Sequence, residues 1–325
     1  MLCAKEQSGC GIRQKRLHPN RKSITNPDRN LKVTPERSQR VKETHRWIRE
    51  RASASIRTEY LAERVLFEGR SPYQEILLAE NSLLGKYLLL DRDIQSSTSD
   101  CANYHEILVH PALLAHPRPQ RVLILGGGEG STLREVLRHQ CVKEVVLVER
   151  DATVVKVCRE HAPELHGAAF HDPRSHLIVG DAMRYLQEST GNFDVILVDL
   201  PDAERELYRL ISIRLGLDGL FATQAGSGGL QQEGSFLRHY RMVSKHWPKL
   251  CPLVSYIPCY QGLWCFLTAS HAQLPSLLTA ENVQELLIER GITSLQAYDG
   301  ETHVRVCHLP KHLRKALAHV NQGSG

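Results

Sequence analysis

The sequence predicts a doubly wound α/β fold, a mostly parallel sheet preceded by a small antiparallel β unit. Three observations carry that reading. Short apolar runs alternate with helical stretches from Arg121 to Asp199. The first run, Arg121–Leu125, ends in Gly126-Gly127-Gly128-Glu129-Gly130. The runs that follow end in Glu149, Gly180-Asp181 and Asp199, so every strand end of the series is marked.

Residues 1–46 read as a disordered basic arm. They lack hydrophobic periodicity and contain Pro19, Pro27 and Pro35. Residues 1–50 hold 13 Lys and Arg against 5 Asp and Glu, a net +8, whereas the remainder holds 28 against 31, a net −3. The basic character therefore belongs to the arm. A nucleic-acid-binding body would carry a basic face, so no nucleic-acid partner is expected. No apolar run approaches the roughly 20 residues that cross a bilayer, and no membrane partner is expected either. The nine cysteines are scattered, with no pair spaced as Cys-x-x-Cys. That pattern fits buried thiols in a reducing compartment. The expected location is cytoplasmic, with organelle targeting by the arm as the minor alternative.

Residues 47–102 read as the antiparallel β unit. Residues 64–68, 73–80 and 86–91 are its strands, and Asn81–Gly85 and Asp91–Asp93 its turns. Residues 103–321 form the Rossmann-like domain, and 322–325 a short tail. Asn103–Ala115 is its first helix, with Pro111 predicting a kink or a late restart. Strands at 121–125, 144–148, 176–179 and 193–198 alternate with helices at 131–139, 152–161 and 183–188. Further strands are expected at 219–223, 254–257 and 264–268, and a last helix at 311–320.

In such sheets ligands bind beyond the carboxyl ends of the strands. Glycines there let backbone N–H groups approach a ligand without interference from a Cβ. They also serve close packing. Glu149, at the next strand end, is placed to accept both hydroxyls of a ribose. The spacing Gly126, Gly128, Gly130 is GxGxG, which favours an adenosyl-sulfonium donor over a dinucleotide. Asp181 is an acceptor for an adenine amino group, and its plainer reading is a helix N-cap. Glu129, inside the glycine loop, would repel the carboxylate of intact S-adenosylmethionine. It would attract the free ammonium of the decarboxylated donor. Asp199 and Asp202 form D-x-x-D after the fourth strand. An amine must lose a proton before its nitrogen attacks, and a carboxylate there can anchor the cation, take the proton or do both. Asp202 beside Pro201 is otherwise a turn residue.

The residues at this point resemble the polyamine aminopropyltransferases, the family of spermidine synthase and, more closely, of the thermospermine and aminopropylagmatine synthases. The resemblance runs from Tyr73 to the last helix. Its stretches include Tyr73-Gln74, Tyr104-His105-Glu106, Leu123–His139, VERD (148–151), HDPR (171–174), GDA (180–182), VDLPD (198–202), FATQAG (221–226), IPCY (257–260) and LWCFLTAS (263–270). The resemblance implies a class I methyltransferase-like Rossmann fold and aminopropyl transfer from decarboxylated S-adenosylmethionine as co-substrate, with no metal or other cofactor. The acceptor is a polyamine, giving thermospermine or, second, spermidine. By position, Gln74, His105, Gly126, Gly128, Glu129, Glu149, Asp181 and Ala182 would bind the donor, and Asp199 would be the general base. Tyr104, Asp202, Gln224 and Tyr260 would face the amine. A homo-oligomer, dimer or tetramer, paired through the β unit is also implied.

The sequence departs from the family in three places. The segment between Asp202 and Gly219 is shorter than usual, where a lid would exclude water. Cys101 replaces the usual acid after Asp100, and Arg92 the usual glycine after Asp91. The chain also stops soon after the last helix. Two alternatives stay open: a methyltransferase using intact S-adenosylmethionine, and a non-catalytic homologue that binds nucleoside or polyamine.

Overall fold

The computed structural model describes residues 42–50, 56–201 and 204–322. Two sheets carry the fold. The first is a five-stranded antiparallel meander of β1 (Lys42–Arg49), β2 (Glu59–Arg70), β3 (Glu75–Asn81), β4 (Gly85–Leu90) and β5 (Asp93–Ser97). Its alternation puts Ile76 and Leu78 into one core with Leu88 of β4, while the next residue, Leu89, is buried in the other core, so both faces of β4 are covered. β1 corrects the sequence reading, because its first five residues fall within the span assigned to the basic arm. The stretch Lys42–Arg49 has only Trp47 and Ile48 as large apolar residues, so no alternation marked it. Cross-strand ion pairs help hold this edge strand on β2: Arg46 with Glu68 at 2.7 Å and Arg49 with Glu59 at 3.1 Å. β4 turns into β5 through Asp91 and Arg92, both at left-handed φ (49° and 68°), the backbone of a tight hairpin. Arg92 thus adopts at some cost what glycine adopts freely.

The second sheet has seven strands in the order β11-β12-β10-β9-β6-β7-β8. β6 (Arg121–Gly126), β7 (Glu144–Glu149), β8 (Ser175–Val179), β9 (Phe193–Asp199) and β10 (Leu215–Ser227) run parallel. β11 (Lys249–Ile257) and β12 (Gly262–Ser270) close one edge as an antiparallel pair. β6 shows why the runs are continuously apolar. Val122 and Ile124 face one core, Leu123 and Leu125 the other, and all four are fully buried.

Helix α1 (Cys101–Ala115) joins the sheets. All its residues but Asn103 are buried, and the helix runs on through Pro111. It shares one core with Tyr60, Tyr87 and Ile94 of the first sheet and with Val122, Val195 and Phe266 of the second. The crossovers are α2 (Ser131–Leu137), α3 (Ala152–His161), α5 (Ala182–Glu188) and α6 (Arg205–Arg214), with a single turn α4 (Pro163–His166) after α3. Helices α6, α7 (Gly234–Val243), α8 (Ala280–Glu289) and α9 (Gly300–Val306) were not read from the sequence, whereas α10 (Lys311–Gln322) was. Among the described residues no helix is long and apolar enough to cross a membrane, and the seven described cysteines are free.

Candidate active site

β6 and β9 lie side by side, and the chain leaves them in opposite directions, toward β7 and toward β10. A crevice opens at such a switch point. Gly126 pairs with Asp199 across it. A Cβ on Gly126, at φ 84°, would collide with the Asp199 carbonyl. One on Gly128 would come within 2.8 Å of Glu149 Cγ. The loop is therefore glycine because strand ends crowd it from both sides.

Three side chains from two helices converge on Asp199. From α1, the Tyr104 hydroxyl donates to Oδ1 at 2.7 Å. From α2, the Thr132 hydroxyl donates to Oδ2 at 2.7 Å. His105 Nε2 lies 3.9 Å from Oδ2 and 3.0 Å from Glu129 Oε1, while its Nδ1 meets the Cys101 carbonyl at 2.7 Å. Both ring nitrogens face acceptors, the arrangement of an imidazolium.

The charges follow from this packing. Burial alone would lower His105, yet the bond and charge of Glu129 and the charge of Asp199 outweigh it and raise its pKa. Burial would raise Glu129, but the bond and charge of His105 hold it below the usual carboxylate range. Asp199 goes the other way. Burial and then the Glu129 charge push it above its ordinary value, against the opposing effects of His105, Tyr104 and Thr132. The result is a His105–Glu129 ion pair beside a carboxylate with heightened proton affinity. The ligand atoms of His105, Glu129 and Asp199 lie within 4.8 Å of one another, close enough to surround a small cation.

Beyond the glycine loop, Glu149 is half-buried at the end of β7, and its Oε1 accepts from the Asp151 N–H at 2.8 Å. Burial raises its pKa, and the Glu129 charge adds to this. Gln74 donates to Asp151 Oδ2 at 2.9 Å, where the Ser71 hydroxyl also donates at 2.6 Å. The β3 end is thereby tied to the β7 end. Asp181 caps α5 through the Arg184 N–H at 2.9 Å and is exposed, with Ala182 half-buried beside it. The N-cap reading of Asp181 is thus realised, with Oδ2 left over.

On the other side, Tyr260 sits edge-on to Tyr104 at 6.1 Å and donates to the Gln95 carbonyl at 2.7 Å. Gln224 is buried, and its amide is engaged by backbone. Nε2 donates to the Leu200 and Pro201 carbonyls at 2.6 and 3.1 Å, and Oε1 accepts from the Gly226 N–H at 3.0 Å. It holds the segment leading to Asp202, where the sequence reading had it facing an amine. Asp202 itself lies outside the described residues. Sequence reasoning missed Thr132 and Asp151 as members of the site. Both lie in stretches that carried the resemblance, but nothing local announces that a threonine in a helix's first turn reaches a strand end.

Fold and site define a Rossmann-type protein with acidic side chains gathered at the carboxyl ends of β6, β7 and β9. Comparison with known proteins specifies this. Residues 101–281 match the model of the spermine/spermidine synthase domain, and residues 46–98 that of the spermidine synthase tetramerisation domain. The chain belongs to the spermine/spermidine synthase family. It is 37% identical over 269 residues to a polyamine aminopropyltransferase of Sulfurisphaera tokodaii, covering 80% of this chain and 89% of that protein. It is 38% identical over 291 residues to one from a Synechococcus species, covering 84% and 93%. The spermidine synthase of Thermotoga maritima superposes with a TM-score of 0.78 at 30% identity, over 87% of this chain and 98% of that one. A spermidine synthase in complex with the transition-state analogue AdoDATO gives 0.78 at 29%, with the same coverages.

Proposed function

We propose that this protein transfers an aminopropyl group from decarboxylated S-adenosylmethionine to a polyamine. The observation that carries this reading is the Glu129–His105–Asp199 group at the switch point, with His105 and Glu129 buried and Asp199 half-buried. Glu129 is ionised and gives the donor's free ammonium a partner, where intact S-adenosylmethionine would bring a repelled carboxylate. Glu149 accepts from the ribose hydroxyls, and Asp181 with Ala182 meets the adenine. Asp199, held by Tyr104 and Thr132, faces the attacking amine between Tyr104 and Tyr260.

The amine nitrogen attacks the methylene carbon next to the sulfonium. The new C–N bond forms as the C–S bond breaks, its electron pair stays on sulfur, and 5′-methylthioadenosine leaves. The amine's surplus proton passes to Asp199, whose raised pKa suits it to the task. The sulfonium is already a good leaving group, so alignment and proton removal do most of the work. The multiple charges of a polyamine match the acids of the crevice, and the amine assay assigns the product between thermospermine and spermidine. The chain works as a homo-oligomer paired through the β1–β5 sheet, where Trp47 is 66% exposed. It works in the cytoplasm, where buried free thiols persist.

The test is methylthioadenosine release from the decarboxylated donor, with putrescine, agmatine, spermidine and spermine as separate acceptors. Asp199→Asn runs in parallel. Release with one amine, reduced about 10²–10⁴-fold in Asp199→Asn, is expected. Donor binding without release for any amine would establish the non-catalytic reading instead.

A further inference from the structure

Asp100 occupies the N-cap position of α1 but does not cap it. An aspartate there ordinarily accepts from the helix's own first N–H groups. This one is 4% exposed and spends both oxygens elsewhere. Oδ1 accepts from the Ser97 hydroxyl at 2.6 Å, and Oδ2 accepts from the Cys259 N–H at 2.6 Å. Cys259 is the middle residue of the single 3₁₀ turn Pro258–Tyr260, which carries Tyr260. The turn is gripped again from the first sheet. The Tyr60 hydroxyl on β2 donates to the Cys259 carbonyl at 2.9 Å, and Tyr260 reaches the Gln95 carbonyl on β5. It ends in Gln261 at left-handed φ (53°), a backbone that a glutamine holds only when its surroundings fix it.

Asp100 therefore ties together two segments distant in sequence. One is the head of α1, which carries Tyr104 and His105. The other is the turn that carries Tyr260. Tyr104 and Tyr260 stand at 82° to each other, and Trp264 packs against Tyr260 with ring centroids 4.7 Å apart. The Asp100 bond to Cys259 joins the two segments that carry these rings, whose centroids lie 6.1 Å apart.

We propose that Asp100 is a positioning residue for the amine acceptor, latching the turn of Tyr260 to the head of α1. The proposal rests on the amine-transfer reading of the site. It predicts a split in the kinetics. Loosening the latch displaces the wall against which the amine lies, while the glycine loop, Glu149 and Asp181 still hold the donor. Asp100→Asn keeps the latch, because an amide oxygen still accepts from the Cys259 N–H and the amide nitrogen can donate to the Ser97 hydroxyl.

The experiment is steady-state kinetics on the full chain with the best amine, joined to hydrogen exchange of the Cys259 amide without substrates. Asp100→Ala should raise KM for the amine about 10-fold, leave KM for the donor within about 2-fold, and speed exchange at Cys259 at least about 30-fold. Asp100→Asn should stay within about 2-fold of wild type in all three. Tyr60→Phe, which removes the second grip while leaving the carboxylate, should raise the amine KM about 3-fold and keeps the test open if Asp100→Ala fails to fold. Equal rises in both KM values, or an unchanged amine KM, would overturn the latch. So would damage by Asn equal to that by Ala, which would make the charge itself the active feature. If wild type transfers to no amine, the proposed function falls. The exchange data then judge the latch alone, and unaltered protection in Asp100→Ala refutes it.

Discussion

Asp199 receives one hydroxyl on each carboxylate oxygen, and both bonds favour its ionised form. They work against burial and the Glu129 charge, which favour the neutral form. A base set by such opposition should respond to small changes. Thr132→Val keeps the shape and removes one donor, so the Asp199 pKa should rise further. Activity needs the carboxylate, so the acid limb of the kcat/KM profile should move to higher pH. The loss should be about 10-fold near pH 6 and smaller near pH 8. A profile that merely scales down at every pH would show that Thr132 does not act through Asp199. At this scale the sequence announced Asp199, Glu129 and Glu149, because strand ends and glycine spacing mark them. It announced neither Thr132 nor the non-capping role of Asp100, since both act on partners far along the chain.

The contact of α1 with α2 buries a second charged group away from the crevice. Glu135 is fully buried between Arg134 and Arg138, each at 2.7 Å, and His110 at 3.3 Å. His110 in turn meets His139 Nε2 at 3.0 Å. Burial would raise the Glu135 carboxyl, but the His110 bond and the two guanidinium charges hold it at about 2. The depressed folded value fixes the sign. The stabilisation is complete above the ordinary carboxylate pKa of 4.5 and is lost as pH falls through that value toward 2. Glu135→Gln should therefore cost about 3 kcal/mol in urea denaturation at pH 7 and markedly less at pH 3. An equal cost at both pH values would assign the effect to packing. Among elements, the parallel strands and α3 were legible because continuous apolar runs and a 3.6-residue period are local signals. The strand β1 and the helix α6 were not. β1 is held by pairing with β2 and by ion pairs, and α6 (Arg205–Arg214) lies inside the segment that the sequence marked as a shortened lid.

On the whole-molecule scale, the first sheet carries a recess of about 570 Å³. Trp47, Ile48, Leu77 and Leu89 line it along with Arg46, Arg49, Arg70 and Arg92. It lies within the residues matching the tetramerisation domain. Trp47→Lys should lower the mass seen by sedimentation velocity at micromolar protein, with donor affinity retained. An unchanged mass would place the oligomer contact elsewhere. By itself the sequence determined the alternation of strands and helices, the glycine loop and the carboxylates at strand ends. Each of these is written in neighbouring residues. Only the tertiary structure decided that His105 and Glu129 form an ion pair, that Gln224 serves the backbone, and that one aspartate joins α1 to the turn of Tyr260. Those facts depend on distances between segments up to 159 residues apart along the chain, which folding sets and no local pattern encodes.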